Sequence, residues 1–213
     1  MTLPAEPPRD CPLCPRLLAF RHENRVKFPA YWNAPVPSFG PLDAAILIAG
    51  LAPGLHGANA TGRPFTGDWA GDLLYETLLK LGLAAGAYEE RADDTLRLVN
   101  IRIANAVRCV PPQNKPEPSE IATCRRFLVS ELETLPKVKV ILALGKIAHD
   151  SALKALGARI AAHPFTHGKV YEIGRFKLIS SYHCSRYNTN TGVLTTPMFE
   201  RVVADAKTLA GLG

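Results

Sequence analysis

The sequence predicts a layered α/β fold, a three-layer α/β/α sandwich around a central four-stranded parallel sheet. Four short segments rich in aliphatic and β-branched residues, 44–50, 96–104, 138–144 and 176–182, have the continuous apolar character of strands covered on both faces. Stretches with helical spacing alternate with them or follow them, at 69–81, 119–135, 146–156 and 197–210. Strand and helix in alternation is the pattern of a sheet sandwiched between two helical layers.

Local signals support each element in turn. Pro118-Ser119-Glu120 opens one helix, Gly82 and Gly157 close two others, and Pro197 suits a first helical turn. No repeat, low-complexity tract or Ser/Gly-rich linker divides the 213 residues, so one domain spanning 1–213 is expected, with 1–43 as an N-terminal arm. The proline-rich pieces 4–15, 29–41 and 111–118 read as ordered loops or extended arms. Lys and Arg exceed Asp and Glu by 25 − 19 = +6, a balance that favours a polyanionic partner without identifying it. The first residues lack the apolar core of a signal peptide and no apolar run is long enough for a bilayer, so a cytoplasmic, nucleoid-associated protein with no membrane partner is expected.

In a reducing compartment the five cysteines are poor candidates for a disulfide framework. Cys11 and Cys14 form a CxxC that can turn two thiolates towards one metal centre, and Cys109 and Cys124 are separated by 14 intervening residues across a proline-rich loop and the start of a helix. Four thiolates suit tetrahedral zinc or an iron-sulfur cluster alike, and the spacing leaves both open. Cys184, directly after His183 at the end of a strand, reads as a buried apolar thiol.

In folds of this class, ligands bind beyond the carboxyl ends of the strands. The segment after the first strand, 50–68, carries five glycines in 19 positions and then enters a helix, which lets backbone approach a ligand closely. It has neither the GxxxxGK[ST] of a P-loop nor the GxGxxG of a dinucleotide site, so a nucleotide cofactor is disfavoured.

GLAPGLHGANATGRPFTGD at 50–68 resembles the first motif of the uracil-DNA glycosylase superfamily, in the type-five, broad-specificity form found in its iron-sulfur branches. Three further segments fit in order: NAVRCVPP from Asn105, LALG from Leu142, and HCSRYNTNTG from His183. The resemblance runs from Cys11 to about Thr195 and implies a [4Fe-4S] cluster held by Cys11, Cys14, Cys109 and Cys124. It also implies site residues. Phe65 would stack on a flipped base, Asn105 would hydrogen-bond its polar edge, and His183 would donate to the departing base, with Gly50, Ala52 and Gly54 beside it. Positions 51 and 52, where related branches carry a polar or acidic residue, are Leu51 and Ala52 here, so attention moves to Asp68 for positioning water or stabilising the sugar cation. Asp68 also stands where a helix N-terminus favours a carboxylate.

The 183–192 loop resembles a segment that enters the minor groove. Ser185 and Arg186 are candidate phosphate contacts, and Tyr187, Asn188 and Asn190 are candidates for filling the gap in the stack. Arg63 and Lys146 are further phosphate candidates, with solvated surface charge as the alternative. Cys184 stands where the family has proline. The implied activity is a monofunctional glycosylase on uracil and other deaminated or modified bases, acting as a monomer on duplex DNA, with single-stranded DNA a second candidate. The rival reading is a non-catalytic iron-sulfur module that recognises lesions; a zinc hydrolase is disfavoured because no His/Asp/Glu set has ligand spacing.

Overall fold

The computed structural model describes residues 2–213. In chain order it contains α1 (Pro15–Lys27), β1 (Ile46–Gly50), α2 (Ala58–Thr61), α3 (Trp69–Lys80), β2 (Ala84–Ala85), β3 (Arg97–Leu98), β4 (Ile101–Asn105), α4 (Pro118–Thr134), β5 (Val140–Leu144), α5 (Lys146–Ala155), β6 (Val170–Ile173), β7 (Phe176–Ser181), α6 (Arg186–Asn190) and α7 (Thr196–Leu209). The main sheet has the order β4-β1-β5-β7-β6, parallel throughout except for β6.

Every residue of β1, β4 and β5 is buried, as strands between two helical layers require. Alternation sorts their side chains. Ile46 and Ile48 face Leu74 and Leu78 of α3 and Phe199 and Val202 of α7, whereas Leu47 and Ala49 face Leu128 of α4 and Ala152 and Leu153 of α5. The three expected layers are therefore present. Helices α3, α4, α5 and α7 lie within a residue or two of the positions their spacing predicts. No helix among the described residues is long and apolar enough to cross a membrane.

Two expectations are corrected. The sheet has five strands, not four: β6 runs antiparallel at the edge and leaves Val170 and Glu172 exposed, so it lacks the apolar run that marks the others. Segment 96–104 is not one strand. Asn100, at φ 59°, turns the chain between β3, which pairs with β2, and β4, which joins the main sheet. Within the arm 1–43, α1 lies between the two proline-rich pieces, in a stretch for which the sequence suggested no element. The buried positions of α1 are Leu17, Arg21 and Asn24, so its inward face is mostly polar and leaves no apolar stripe to read.

The arm is fastened by buried charge. Glu131 of α4, fully buried, accepts from Arg102 Nε at 2.6 Å and also from the Ser38 hydroxyl. Arg108 reaches Glu6 at 3.1 Å, and Arg16 of α1 pairs with Glu120 of α4 at 2.7 Å. The same Glu120 accepts the Glu117 amide at 2.7 Å and so stabilises the start of α4. Each buried carboxylate thus has cationic partners, without which its burial would be costly.

Candidate active site and cysteine pocket

The parallel strands run in the chain order second-first-third-fourth, and β1, β4, β5 and β7 all end on one side of the sheet. Asn105 is the last residue of β4, Gly50 the last of β1, Gly145 follows β5, and His183 lies just beyond β7. A parallel sheet therefore brings residues from four distant parts of the sequence to one rim.

Phe65, Asn105 and His183 converge there. A Cβ on Gly50 would collide with Asn105 Oδ1 and lie 2.8 Å from the Phe65 ring, so the absence of a side chain at Gly50 lets those two groups meet. The Phe65 and His183 rings stack at 6.1 Å between centroids and 26° between planes. Asn105 is 4% exposed, and its Oδ1 has no hydrogen-bond partner among the described residues. An unsatisfied buried carbonyl costs about 1–3 kcal/mol. Phe65 adopts φ 52°, in the left-handed region, which for a non-glycine residue costs on the order of 1–3 kcal/mol. Both costs fall on the residues that the sequence marks for gripping a base.

In front of these buried groups lies an open cleft lined by Leu51, Ala52, Gly54, Asp68, Trp69, Ala70, Asn114, His183, Ser185 and Arg186. Asp68 caps α3, its Oδ1 accepting the Gly71 amide at 3.1 Å. Its Oδ2 lies 3.1 Å from where a Gly54 Cβ would stand, and Gly57 leaves it equally little room for a side chain. The two readings of Asp68 are compatible, since one oxygen caps the helix and the other packs on the glycine loop beside the cleft. Burial pushes the His183 imidazole below its ordinary value, with the Asp68 carboxylate pulling the other way. The ring is thereby biased towards its neutral form.

The remaining site residues divide. Ser185 and Arg186 line the cleft. Tyr187 is 74% exposed, Asn188 donates to the His183 carbonyl at 2.8 Å, and Asn190 is exposed at the end of α6. Lys146 is exposed and paired with Asp150 at 2.6 Å. Arg63 corrects the sequence reading: it is 5% exposed, binds Asp94 through both terminal nitrogens at 2.7 Å, and lies near the rings of Phe39, Tyr75 and Tyr88. A guanidinium so buried and already neutralised by a carboxylate, with its Nε donating to Thr66, braces the glycine loop and is not presented to a phosphate. The pairing holds the Asp94 carboxyl at about 2, well below the usual carboxylate range. Trp69 and Asn114 line the cleft without having been singled out from sequence. Gln113 and Asn114 are consecutive residues with positive φ in a proline-bounded loop.

Cys11, Cys14, Cys109 and Cys124 line one largely enclosed pocket together with Val107 and Arg108, a few residues after Asn105. All five cysteines are free thiols. No group of three His, Cys, Asp or Glu side chains among the described residues closes to metal-binding distance, and the four thiols stand around the pocket wall. Burial among apolar neighbours pushes Cys109 up to about 12 and Cys124 up to about 11. Two N–H groups point at sulfur: Arg21 Nη1 reaches Cys109 Sγ at 3.5 Å and the Arg108 amide reaches Cys124 Sγ at 3.3 Å. Arg21 is 1% exposed and forms no ion pair among the described residues, and its Nε is unpartnered. A buried cation beside neutral thiols is uncompensated, whereas beside an anionic thiolate-ligated group it is balanced. The donor set and this charge therefore fit an iron-sulfur cluster. Cys184 is separate: it is fully buried and its thiol donates to the Ala70 carbonyl at 3.4 Å.

A sheet with its polar rim at the strand ends, a buried aromatic-amide pair and a histidine define a class of nucleobase-handling α/β proteins. Residues 37–207 match the uracil DNA glycosylase superfamily, and the chain belongs to it. It is 49% identical over 208 residues to a type-5 uracil-DNA glycosylase from Thermus thermophilus, covering 95% of this chain and 94% of that protein. It is 39% identical to a type-5 uracil-DNA glycosylase from Pyrobaculum aerophilum, covering 95% and 90%. A type-4 uracil-DNA glycosylase from Archaeoglobus fulgidus is 33% identical over 70% of this chain and 69% of its own.

Proposed function

We propose that this chain is a uracil-DNA glycosylase of base excision repair, a hydrolase that cuts the N-glycosidic bond of uracil in DNA and leaves an abasic site. The observation that carries the reading is the meeting of Phe65, Asn105 and His183 around Gly50, with Asn105 Oδ1 buried and unpartnered.

The chemistry follows from those groups. An extruded uracil stacks on the Phe65 ring, and the Asn105 carboxamide accepts its N–H and donates to a neighbouring carbonyl, which satisfies the orphaned oxygen. As the bond to deoxyribose lengthens, negative charge gathers on the base, and the neutral His183 imidazole donates a hydrogen bond to it. The Asp68 carboxylate favours the oxocarbenium-like sugar and orients water for attack on the anomeric carbon. Leu51 and Ala52 can take no proton, so leaving-group stabilisation carries most of the rate.

In the cysteine pocket, Cys11, Cys14, Cys109 and Cys124 would hold a [4Fe-4S] cluster, whose role there is to cross-link the arm to the segment behind Asn105. We extend the substrate range to hypoxanthine and hydroxymethyluracil, and take the protein to act as a cytoplasmic monomer on duplex DNA. The test is single-turnover release of base from duplexes carrying uracil, hypoxanthine or hydroxymethyluracil, matched and mismatched. Abasic product from the uracil duplex is expected. Tight binding with every uracil left intact would favour the non-catalytic lesion-binding module instead.

A further inference from the structure

Trp69 begins α3 immediately after Asp68, and it is 44% exposed on the wall of the cleft. An indole left in water at such a place calls for a reason. Its hydrogen bond and its cation–π contact both run towards the segment after His183. The indole Nε1 donates to Thr189 Oγ1 at 3.0 Å, and the Arg186 guanidinium sits 5.2 Å from the ring centroid. The Thr189 hydroxyl has a single proton, directed to the carbonyls of Ser185 or Arg186 at 3.3 and 3.1 Å, so it is free to accept from the indole. Asn188 of the same short helix donates to the His183 carbonyl, and the Cys184 thiol donates to the carbonyl of Ala70, the next residue of α3. The start of α3 and the 183–189 segment are thus tied together at several points, with Asp68 on one side of the seam and His183 on the other.

We propose that Trp69 is a positioning residue: its indole fastens the segment 185–190 to the helix that Asp68 caps, so that carboxylate and imidazole keep one geometry while that segment engages the duplex. The proposal rests on the glycosylase reading. The two contacts of the indole have separable roles. The hydrogen bond to Thr189 is the fastening. The stack holds Arg186 beside the cleft, and because a cation–π contact at an exposed site is weak, a DNA phosphate offering charge-assisted hydrogen bonds draws the guanidinium away without undoing the bond to Thr189.

The experiment compares Trp69→Phe, which keeps a ring and loses the N–H, with Thr189→Val, which loses the acceptor, and Thr189→Ser, which keeps it. Single-turnover excision at saturating uracil duplex, duplex affinity and thermal unfolding are measured for each. Trp69→Phe and Thr189→Val are expected to slow excision at saturation on the order of tenfold, since small misplacements of reacting groups are costly, with affinity changed by less than about threefold. Thr189→Ser restores the rate, and the double variant Trp69→Phe/Thr189→Val is no slower than the worse single one. Wild-type rates at saturation in both single variants would overturn the proposal, as would losses that multiply in the double variant. Wild-type protein that releases no uracil would overturn the glycosylase reading itself, a result distinguishable from the others.

Discussion

The cysteine pocket, walled in part by Val107, Arg108 and Cys109, and the site around Asn105 draw on one short segment, Asn105 to Cys109, and are built differently. Around the cysteines, groups turn inward: Leu17, Val107 and Phe127 wall the sulfurs, and the N–H groups of Arg21 and Arg108 point at them. Around the cleft, Asn105 Oδ1 has no partner among the described residues, Phe65 is in the left-handed region, and the Trp69 indole is 44% exposed. Unsatisfied and strained groups persist only where surrounding structure over-determines them. The shared segment is riveted to the loop after β1 by the amides of Ala106 and Val107, bonded to the carbonyls of Gly50 and Leu51 at 2.9 and 3.0 Å. One region supplies the rigidity that the other spends on chemistry.

If that division holds, damage to the pocket affects both regions, whereas damage to the cleft affects one. Cys124→Ala is expected to cost several kcal/mol of stability, because a bound group stabilises only the state that holds it. Excision falls with it as the segment behind Asn105 loosens. Iron and sulfide analysis, thermal unfolding and excision should decline together. A variant that loses iron yet melts and excises like wild type would break the comparison.

His183→Ala is the converse test. Loss of one donor to a developing anion costs about 10²–10³-fold, or about 3–4 kcal/mol of transition-state stabilisation, and the melting temperature should hardly move. The pH profile sharpens this. Burial lowers the His183 pKa below its ordinary 6.5, so the imidazole stays neutral as pH falls through that value and protonates only further down. Excision is therefore expected to stay level through pH 6.5 and to drop at lower pH. Removing the Asp68 charge, which opposes the shift, should move the acid limb lower still.

Asp68→Asn separates the two tasks of one side chain. Asparagine caps helices as well as aspartate does, so α3 is retained, while loss of the charge should slow excision by about 10²-fold. Asp68→Ala removes the cap as well and should cost about 1 kcal/mol of stability in addition. Equal melting temperatures for the two variants would mean that the Gly71 bond contributes nothing.

The sequence disclosed the buried and the glycine-rich parts best. The strands of continuous apolar character and the helices with apolar stripes were legible because burial on one or both faces leaves a period in the chain. β6 and α1 were not, since an edge strand alternates and α1 buries an arginine and an asparagine. Within the cleft, Phe65, Asn105, Asp68 and His183 were legible through their motifs. Arg63 was misplaced because its partner Asp94 is 31 residues away, and nothing local distinguishes a paired arginine from a free one. Trp69 went unmarked for a related reason: its partners, Thr189 and Arg186, are brought to it only by the ending of β7 beside the start of α3.

Arg186 gives the smallest expected effect and the most selective one. Its guanidinium lines the cleft and rests on the Trp69 ring with no carboxylate bound to it among the described residues. Arg63, by contrast, is buried and paired with Asp94. If Arg186 meets a phosphate, Arg186→Ala should weaken duplex binding on any sequence and reduce the slope of log affinity against log salt by roughly 1. Arg63→Met should leave that slope unchanged while lowering the melting temperature, because it strands a buried carboxylate whose lost partner is worth about 3–5 kcal/mol. The two arginines then separate by salt titration alone: a slope that falls for Arg63→Met and not for Arg186→Ala would put the phosphate contact on the wrong side of the glycine loop.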